Sequence, residues 1–258
     1  MATDVVSNDS LQAIPAELYP VVDHLVTEDG APVDNIFSEK QQRLLTEPLY
    51  SSWTGPGEQR SFVAMSNVGL FFAVRRPPLV PDALLSLDVE LPADLQPKRH
   101  RSYFVWEYGK APDVVIEVVS NREGGEDTEK LAGYFQVAVR YYAIFDPDRL
   151  LSQEALRVYR HDAIEYCKMD EPIWFPDIGL GLGLWQGRYE DHDNTWLRWV
   201  DAEGVPVPTG REGVKSQQQR ADAQQQRADA QQQRADRERQ RADQLAEQLR
   251  QLGVEPPM

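Results

Sequence analysis

A chain of 258 residues with 41% hydrophobic content holds enough apolar material for one medium-sized globular domain plus an appendage. Its net charge of −15 counts against broad electrostatic attraction to nucleic acid and leaves only local basic patches, such as KRHR at 98–101 or the pair Arg75 and Arg76, to meet a phosphate backbone. The single cysteine, Cys167, excludes a disulfide framework or a multi-thiolate zinc site within one chain and fits a reducing cytoplasm.

Residues 1–20 show no clean period and read as a loosely ordered arm. They carry acids where a secretory signal carries bases, and no apolar run in the chain approaches the roughly 18 residues of a membrane span. A cytoplasmic protein with no membrane partner is expected. The segment DNIFSEKQQRLLTEPLYSSW predicts a helix over 38–47, with Ser38 as N-cap, Gln41 three residues on, Leu44 and Leu45 as apolar face and Pro48 as stop.

From Phe62 to Trp106 the apolar stretches FVAM, GLFFAV, ALLSLDVEL and SYFVWEY alternate with turn-forming residues and predict strands of one sheet. DVVIEVVS then predicts a strand, EDTEKLAGYFQVA a helix with Leu131, Tyr134, Phe135 and Ala138 on one face, and RYYAIFDP a further strand. Together they form a βαβ unit in a partly parallel sheet. ALRVYR and AIEYCKM predict one hairpin, with Cys167 in the core, and 185–200 a Trp-rich second one with EDHDN around His192 as its polar turn. The tryptophans read as packing, and the four histidines have no ligand-like spacing.

After residue 211 a seven-residue repeat begins. Placing Ala221, Ala228, Ala235, Ala242 and Leu249 at position a puts Gln224, Gln231, Glu238, Leu245 and Leu252 at d, so only the last two heptads have an apolar seam. A self-associating coiled coil and a solvated helix are both open. The organisation is therefore an arm at 1–20, a globular domain at 21–205 and a helical tail at 211–258.

One strand carries the chemical question. Alternate strand residues share a face, so Asp113, Val115, Glu117 and Val119 point one way, with the two acids about 13 Å apart at ~3.3 Å per residue. That is too far to grip one ion together. Asp113, beside Pro112, reads as a residue bonding nearby backbone at the start of the strand. Glu117 lies among valines and isoleucine, where an unpaired carboxylate is costly. Either a core Lys or Arg pairs it, or it is a metal ligand or acid/base in a cleft. A partner carboxylate would come from another strand, and Asp82 in LVPDALLSL is the candidate. Lys130 on the following helix could reach back toward the strand, with REGGEDTEK as the cleft's rim. Aspartate, glutamate and lysine together suit metal-assisted phosphodiester cleavage: magnesium takes oxygen ligands, and a lysine steadies a developing oxyanion.

In these residues the chain resembles the Uma-two family of restriction-endonuclease-like proteins within the PD-(D/E)XK nuclease superfamily. The likeness covers roughly 28–210, through EDGAPVDNIFSEKQQRLLTEPLYSSW, NVGLFFAVRRPPLVPDALLSLDVELP, RSYFVWEYGKAPDVVIEVVSNREGGED and YYAIFDP. The resemblance implies an α/β restriction-endonuclease-like core, a central mixed sheet flanked by helices, with the C-terminal helical, coiled-coil-like tail appended. It implies that Asp82 and Glu117 hold Mg²⁺ or Mn²⁺, that DNA is the substrate, and that Glu39 on the first helix and Asp113 are accessory. The third motif position is Val119 rather than lysine, and the resemblance transfers that role to Lys130. The alternative is a degenerate nuclease fold acting as a binding or scaffold protein, a homo-oligomer formed partly through the tail. Hydrolysis of another substrate by paired carboxylates, as in glycosidases, is a third, weaker reading.

Overall fold

The computed structural model describes residues 21–22, 35–57 and 60–251; the arm at 1–20, His24 and Leu252 lie outside them. The chain divides into two compact units, Met1–Val207 and Pro208–Met258.

The first helix, α1, spans Ile36–Ser51, earlier at its start and later at its end than the sequence predicts. Asn35, not Ser38, is the N-cap: its backbone is extended and its side chain accepts the Ser38 N–H at 2.9 Å. Pro48 lies inside the helix. It cannot donate to the Leu44 carbonyl, but Leu44, Leu45 and Leu49 are buried, and the N–H groups of Ser52 and Trp53 both close onto the Pro48 carbonyl. Tertiary burial carries the helix past its breaker.

Six strands form the central mixed sheet in the order β1 (Phe62–Met65), β3 (Ala83–Leu87), β5 (Val114–Val118), β6 (Tyr141–Phe145), β7 (Leu156–His161) and β8 (Tyr166–Lys168). Only β5 and β6 run parallel, joined over α3 (Glu129–Val137) as the βαβ unit the sequence predicts. That helix ends at Ala138, which is left-handed and exposed, so Val137 rather than Ala138 is the buried residue of the last turn.

The stretches between β1 and β5 are not all strands of this sheet. β2 (Leu70–Phe71) and β4 (Tyr103–Phe104) make a separate parallel pair, and VWEY is a short helix, α2 (Val105–Tyr108). Aromatic fold-back explains the turn: Tyr108 stacks on Tyr103 with centroids 4.3 Å apart, and Trp106 meets Phe104 at 5.1 Å.

β9 (Ile173–Phe175), β10 (Leu180–Tyr189) and β11 (His192–Val200) form a three-stranded antiparallel sheet. Glu190 and Asp191, both at positive φ, make the two-residue turn of the β10–β11 hairpin, and Trp196 and Trp199 pack inside as expected. Cys167 is only half-buried, contrary to the core position its alternating strand predicts. It sits on β8, the last strand of the central sheet, where none of the three residues is buried.

Strand alternation divides the core. Leu85, Val114, Ile116, Val118, Ala143 and Phe145 pack with α1 and the three-stranded sheet. On the opposite face, Leu84, Val115, Val119, Tyr142 and Ile144 pack with Tyr134 and Val137 of α3. Glu117, between Val115 and Val119, belongs to that second face by parity.

In the second unit, α4 (Gly210–Gln251) is one helix of 42 residues. Thr209 and Glu212 bond reciprocally at its start, a capping box. No helix among the described residues is long and apolar enough to cross a membrane.

Candidate active site

The site begins where β3 and β5 part. Their antiparallel register pairs Ala83 with Ile116 and Leu84 with Val115, so one further step brings Asp82 opposite Glu117. Pro81 interrupts the backbone there, since it has no N–H, and the Asn67 N–H is shared by the Pro81 and Asp82 carbonyls. The Asp82 side chain then takes over as sheet acceptor: its Oδ2 receives the Val118 N–H at 2.7 Å. Its Oδ1 receives Nε2 of Gln42, on α1, at 2.7 Å. Asp82 thus sits where the helix of one layer meets the strand ends of the sheet.

Glu117 is 1% exposed. Lys130 Nζ donates to its Oε2 at 2.9 Å and the Tyr134 hydroxyl to its Oε1 at 2.5 Å. Burial pushes the Glu117 carboxyl up to about 8, with the Asp82 charge adding to the rise and Lys130 and Tyr134 opposing it. Burial alone would lower the Lys130 ammonium, but Glu117, Glu126 and Asp82 outweigh it and hold the pKa above its ordinary value. Glu126, also buried, approaches Lys130 through Oε1 at 3.4 Å, while its Oε2 is buried without a hydrogen-bond partner. Its carbonyl accepts from the Tyr142 hydroxyl at 2.7 Å, which ties the loop before α3 to β6. On the same face, the row Glu117–Ile144–Arg157 crosses three strands. Arg157 meets Asp127 at 3.3 Å and keeps Nε and Nη2 buried and unpartnered.

A family model described as "Putative restriction endonuclease", Uma2, matches residues 27–182. The chain belongs to the Uma2 family. Among solved structures, this Uma2 chain is similar to a crystal structure from Anabaena variabilis ATCC 29413 described as a "putative nuclease belonging to DUF820". The two share 20% identity with a TM-score of 0.38, over 55% of this chain and 71% of that one. No curated protein matches.

The structure of this Uma2 member brings Asp82, Glu117 and Lys130 into one cluster from three elements distant in sequence. Glu39 stands outside it, half-buried and paired with Arg43 at 2.7 Å. Asp113 lies at the other end of β5, where its Oδ2 accepts the Leu87 N–H at 2.7 Å and Lys110 Nζ at 2.5 Å. Sequence reasoning did not bring Gln42, Glu126, Tyr134 or Arg157 to the site. Two signals were present: Glu126, Lys130 and Tyr134 recur every fourth residue, the spacing of one helix face, and two glutamines adjoin the apolar Leu44 and Leu45. The contact of Arg157 needs strand register, which no local pattern supplies.

The side-chain acceptors here are carboxylate oxygens, the donor type a hard divalent cation takes. Each oxygen of Asp82 and Glu117 accepts one hydrogen bond and keeps a second lone pair, and Glu126 adds an orphaned buried oxygen. Among the described residues no group of three or more His, Cys, Asp or Glu could hold a metal ion. Two carboxylates with open positions match Mg²⁺ or Mn²⁺, which keep waters and take substrate phosphate, and not a structural zinc site.

Proposed function

We propose that the protein is a metal-dependent endonuclease that hydrolyses phosphodiester bonds of DNA in the cytoplasm. The observation that carries the reading is the convergence of Asp82, buried Glu117 and Lys130 at the end of β5, within a chain of the Uma2 family. Asp82 and Glu117 would hold Mg²⁺ or Mn²⁺, which when bound supplies an activated water and neutralises charge on the phosphate.

The remaining work falls to the chain itself. Gln42 and the Val118 N–H fix the Asp82 carboxylate, and Tyr134 fixes Glu117, so both acids are oriented before any cation or substrate arrives. Lys130 presents a held ammonium, 29% exposed, to the oxygen on which negative charge grows. Val119, where the superfamily pattern has lysine, is buried in the apolar cluster with Val115 and Tyr134. An ammonium there would be desolvated, whereas α3 delivers one whose side chain stays partly exposed.

Calorimetric titration of Mn²⁺ into the wild-type protein and Glu117→Ala, followed by incubation of each with supercoiled plasmid, tests the reading. Saturable binding and nicking in the wild type, both lost in the variant, are expected. A wild type that binds no Mn²⁺ and leaves the plasmid intact would move the protein to the degenerate, scaffold reading.

A further inference from the structure

Residues 220–243 contain the triplet Arg-Ala-Asp four times, at 220–222, 227–229, 234–236 and 241–243, all within the continuous helix α4. Side chains on a helix meet neighbours three and four residues away. Arg220 and Arg227 find no acid there, and Glu238, four residues after Arg234 and three before Arg241, is the one acid at that spacing from the other two. Asp222, Asp229 and Asp236 instead accept from Gln218, Gln225 and Gln232 at 2.8, 2.8 and 3.0 Å. The four arginines of the triplets are exposed and make no ion pair among the described residues. Arg and Asp are two residues apart within a triplet and five apart between triplets, so they cannot neutralise one another along one helix.

The period of seven adds a geometrical statement. A straight α-helix drifts by about 20° per heptad, so four repeats keep their rows aligned only along a left-handed supercoil. At roughly 51° between neighbouring rows of a heptad, the Ala221 row is flanked by the Gln224 and Gln225 rows. Beyond those lie the Arg row on one side and the Asp row on the other, each about 103° from the alanines. The face is symmetric in position and opposite in charge.

We propose that α4 pairs with α4 of a second copy of this chain, parallel and in register, with Ala221, Ala228, Ala235 and Ala242 along the seam. A two-fold axis along such a pair sets the Arg edge of each helix against the Asp edge of the other, on both sides. Reversing one helix would set Arg against Arg and Asp against Asp, so charge selects the parallel arrangement. Leu245, 61% exposed, lies on the Gln224 row beside the seam and is covered by the same pairing. This pairing is independent of the nuclease reading, because it uses no residue of the β5 site.

Sedimentation of the full-length protein at micromolar concentration is expected to give a dimer. Replacing the four triplet arginines with aspartate (Arg220→Asp, Arg227→Asp, Arg234→Asp, Arg241→Asp), or the four aspartates with arginine, is expected to weaken association at least tenfold in each variant. Mixing the two variants should restore the dimer, which separates charge pairing from a helix that fails to form. In Cys167→Ser backgrounds, Ala221→Cys and Ala242→Cys should each form a same-site disulfide on oxidation. A monomeric wild type, a dimer indifferent to the charge variants, a mixture that stays monomeric, or absence of both same-site disulfides would each overturn the proposal.

Discussion

The two ends of β5 carry the same functional group on the same face of the same strand into opposite circumstances. Asp113, at the start, is met by a backbone N–H and by Lys110 three residues away, both local to the β3–β5 junction. Glu117, at the end, is 1% exposed and met only by side chains delivered from α3, thirteen and seventeen residues on. The first carboxylate closes a fold that would otherwise leave an N–H unpaired. The second is buried against a lysine and a tyrosine from a distant helix, and its proton is held up to about 8. A group whose burial needs such support from a distant helix is a candidate for chemistry, and one satisfied by its neighbours is not.

The sharpest way to break this contrast is to remove each acid in turn. Glu117→Ala is expected to abolish Mn²⁺ binding and plasmid cleavage, whereas Asp113→Ala leaves Mn²⁺ affinity within about threefold, measured by calorimetry on folded protein. Loss of Mn²⁺ binding in Asp113→Ala would erase the distinction. The two lysines come next. Lys130→Met should lower the cleavage rate by about 10²–10³ while Mn²⁺ binding survives, the scale for removing one preorganised donor to developing charge. Lys110→Met should leave the rate unchanged. Equal losses in the two variants would mean that Lys130 serves only the fold.

The contrast is half legible in the sequence. Strand parity put Asp113 and Glu117 on one face, and valines around Glu117 marked it as the costly one, because periodicity and desolvation are local properties of a sequence. The βαβ unit and both hairpins followed from the same local signals. What failed was tertiary: Pro48 ends a helix only if nothing buries the next turn, and VWEY reads as strand until Tyr108 is seen to fold back onto Tyr103. Within the site, Tyr134 carried the right spacing from Lys130 but looked apolar, and Gln42 gave no chemical reason for its burial. Its reason is Asp82, forty residues away.

Titration sharpens the comparison further. The Glu117 carboxyl, ordinarily near 4.5, holds its proton in the folded chain up to about 8. Between those values the folded state binds more protons than the unfolded state, so stability falls as pH rises across the window and levels off above it. Relative to Glu117→Gln, which lacks the titration, the wild type should lose on the order of a few kcal/mol between about pH 5 and about pH 8. Urea denaturation with EDTA present measures the difference, and a flat profile would mean that Lys130 keeps the carboxylate ionised throughout. At the other end of the strand, Asp113→Ala should cost ~1–3 kcal/mol by leaving the Leu87 N–H unpaired, with no effect on the Glu117 titration.

The smallest effect distinguishes two adjacent glutamines of α1. Gln41 is fully buried and bonds the Leu197 backbone at both ends of its amide, donating to the carbonyl at 2.8 Å and accepting the N–H at 3.0 Å. Gln42, one residue on, donates to Asp82 Oδ1 and so holds a candidate ligand. Gln41→Ala therefore strands two backbone groups and should lower stability by ~1–3 kcal/mol without altering Mn²⁺ affinity in the folded protein. Gln42→Ala frees the Asp82 carboxylate to rotate about its remaining bond to the Val118 N–H. It should weaken Mn²⁺ binding by about tenfold, the low end of what losing a ligand's supporting contact costs, because that second anchor survives. Restoration by Gln42→Asn would argue against this geometry, since the shorter amide cannot span the same 2.7 Å bond from an unmoved helix. If instead both alanine variants change stability alone, Asp82 is held by Val118 and the helix contributes packing rather than orientation.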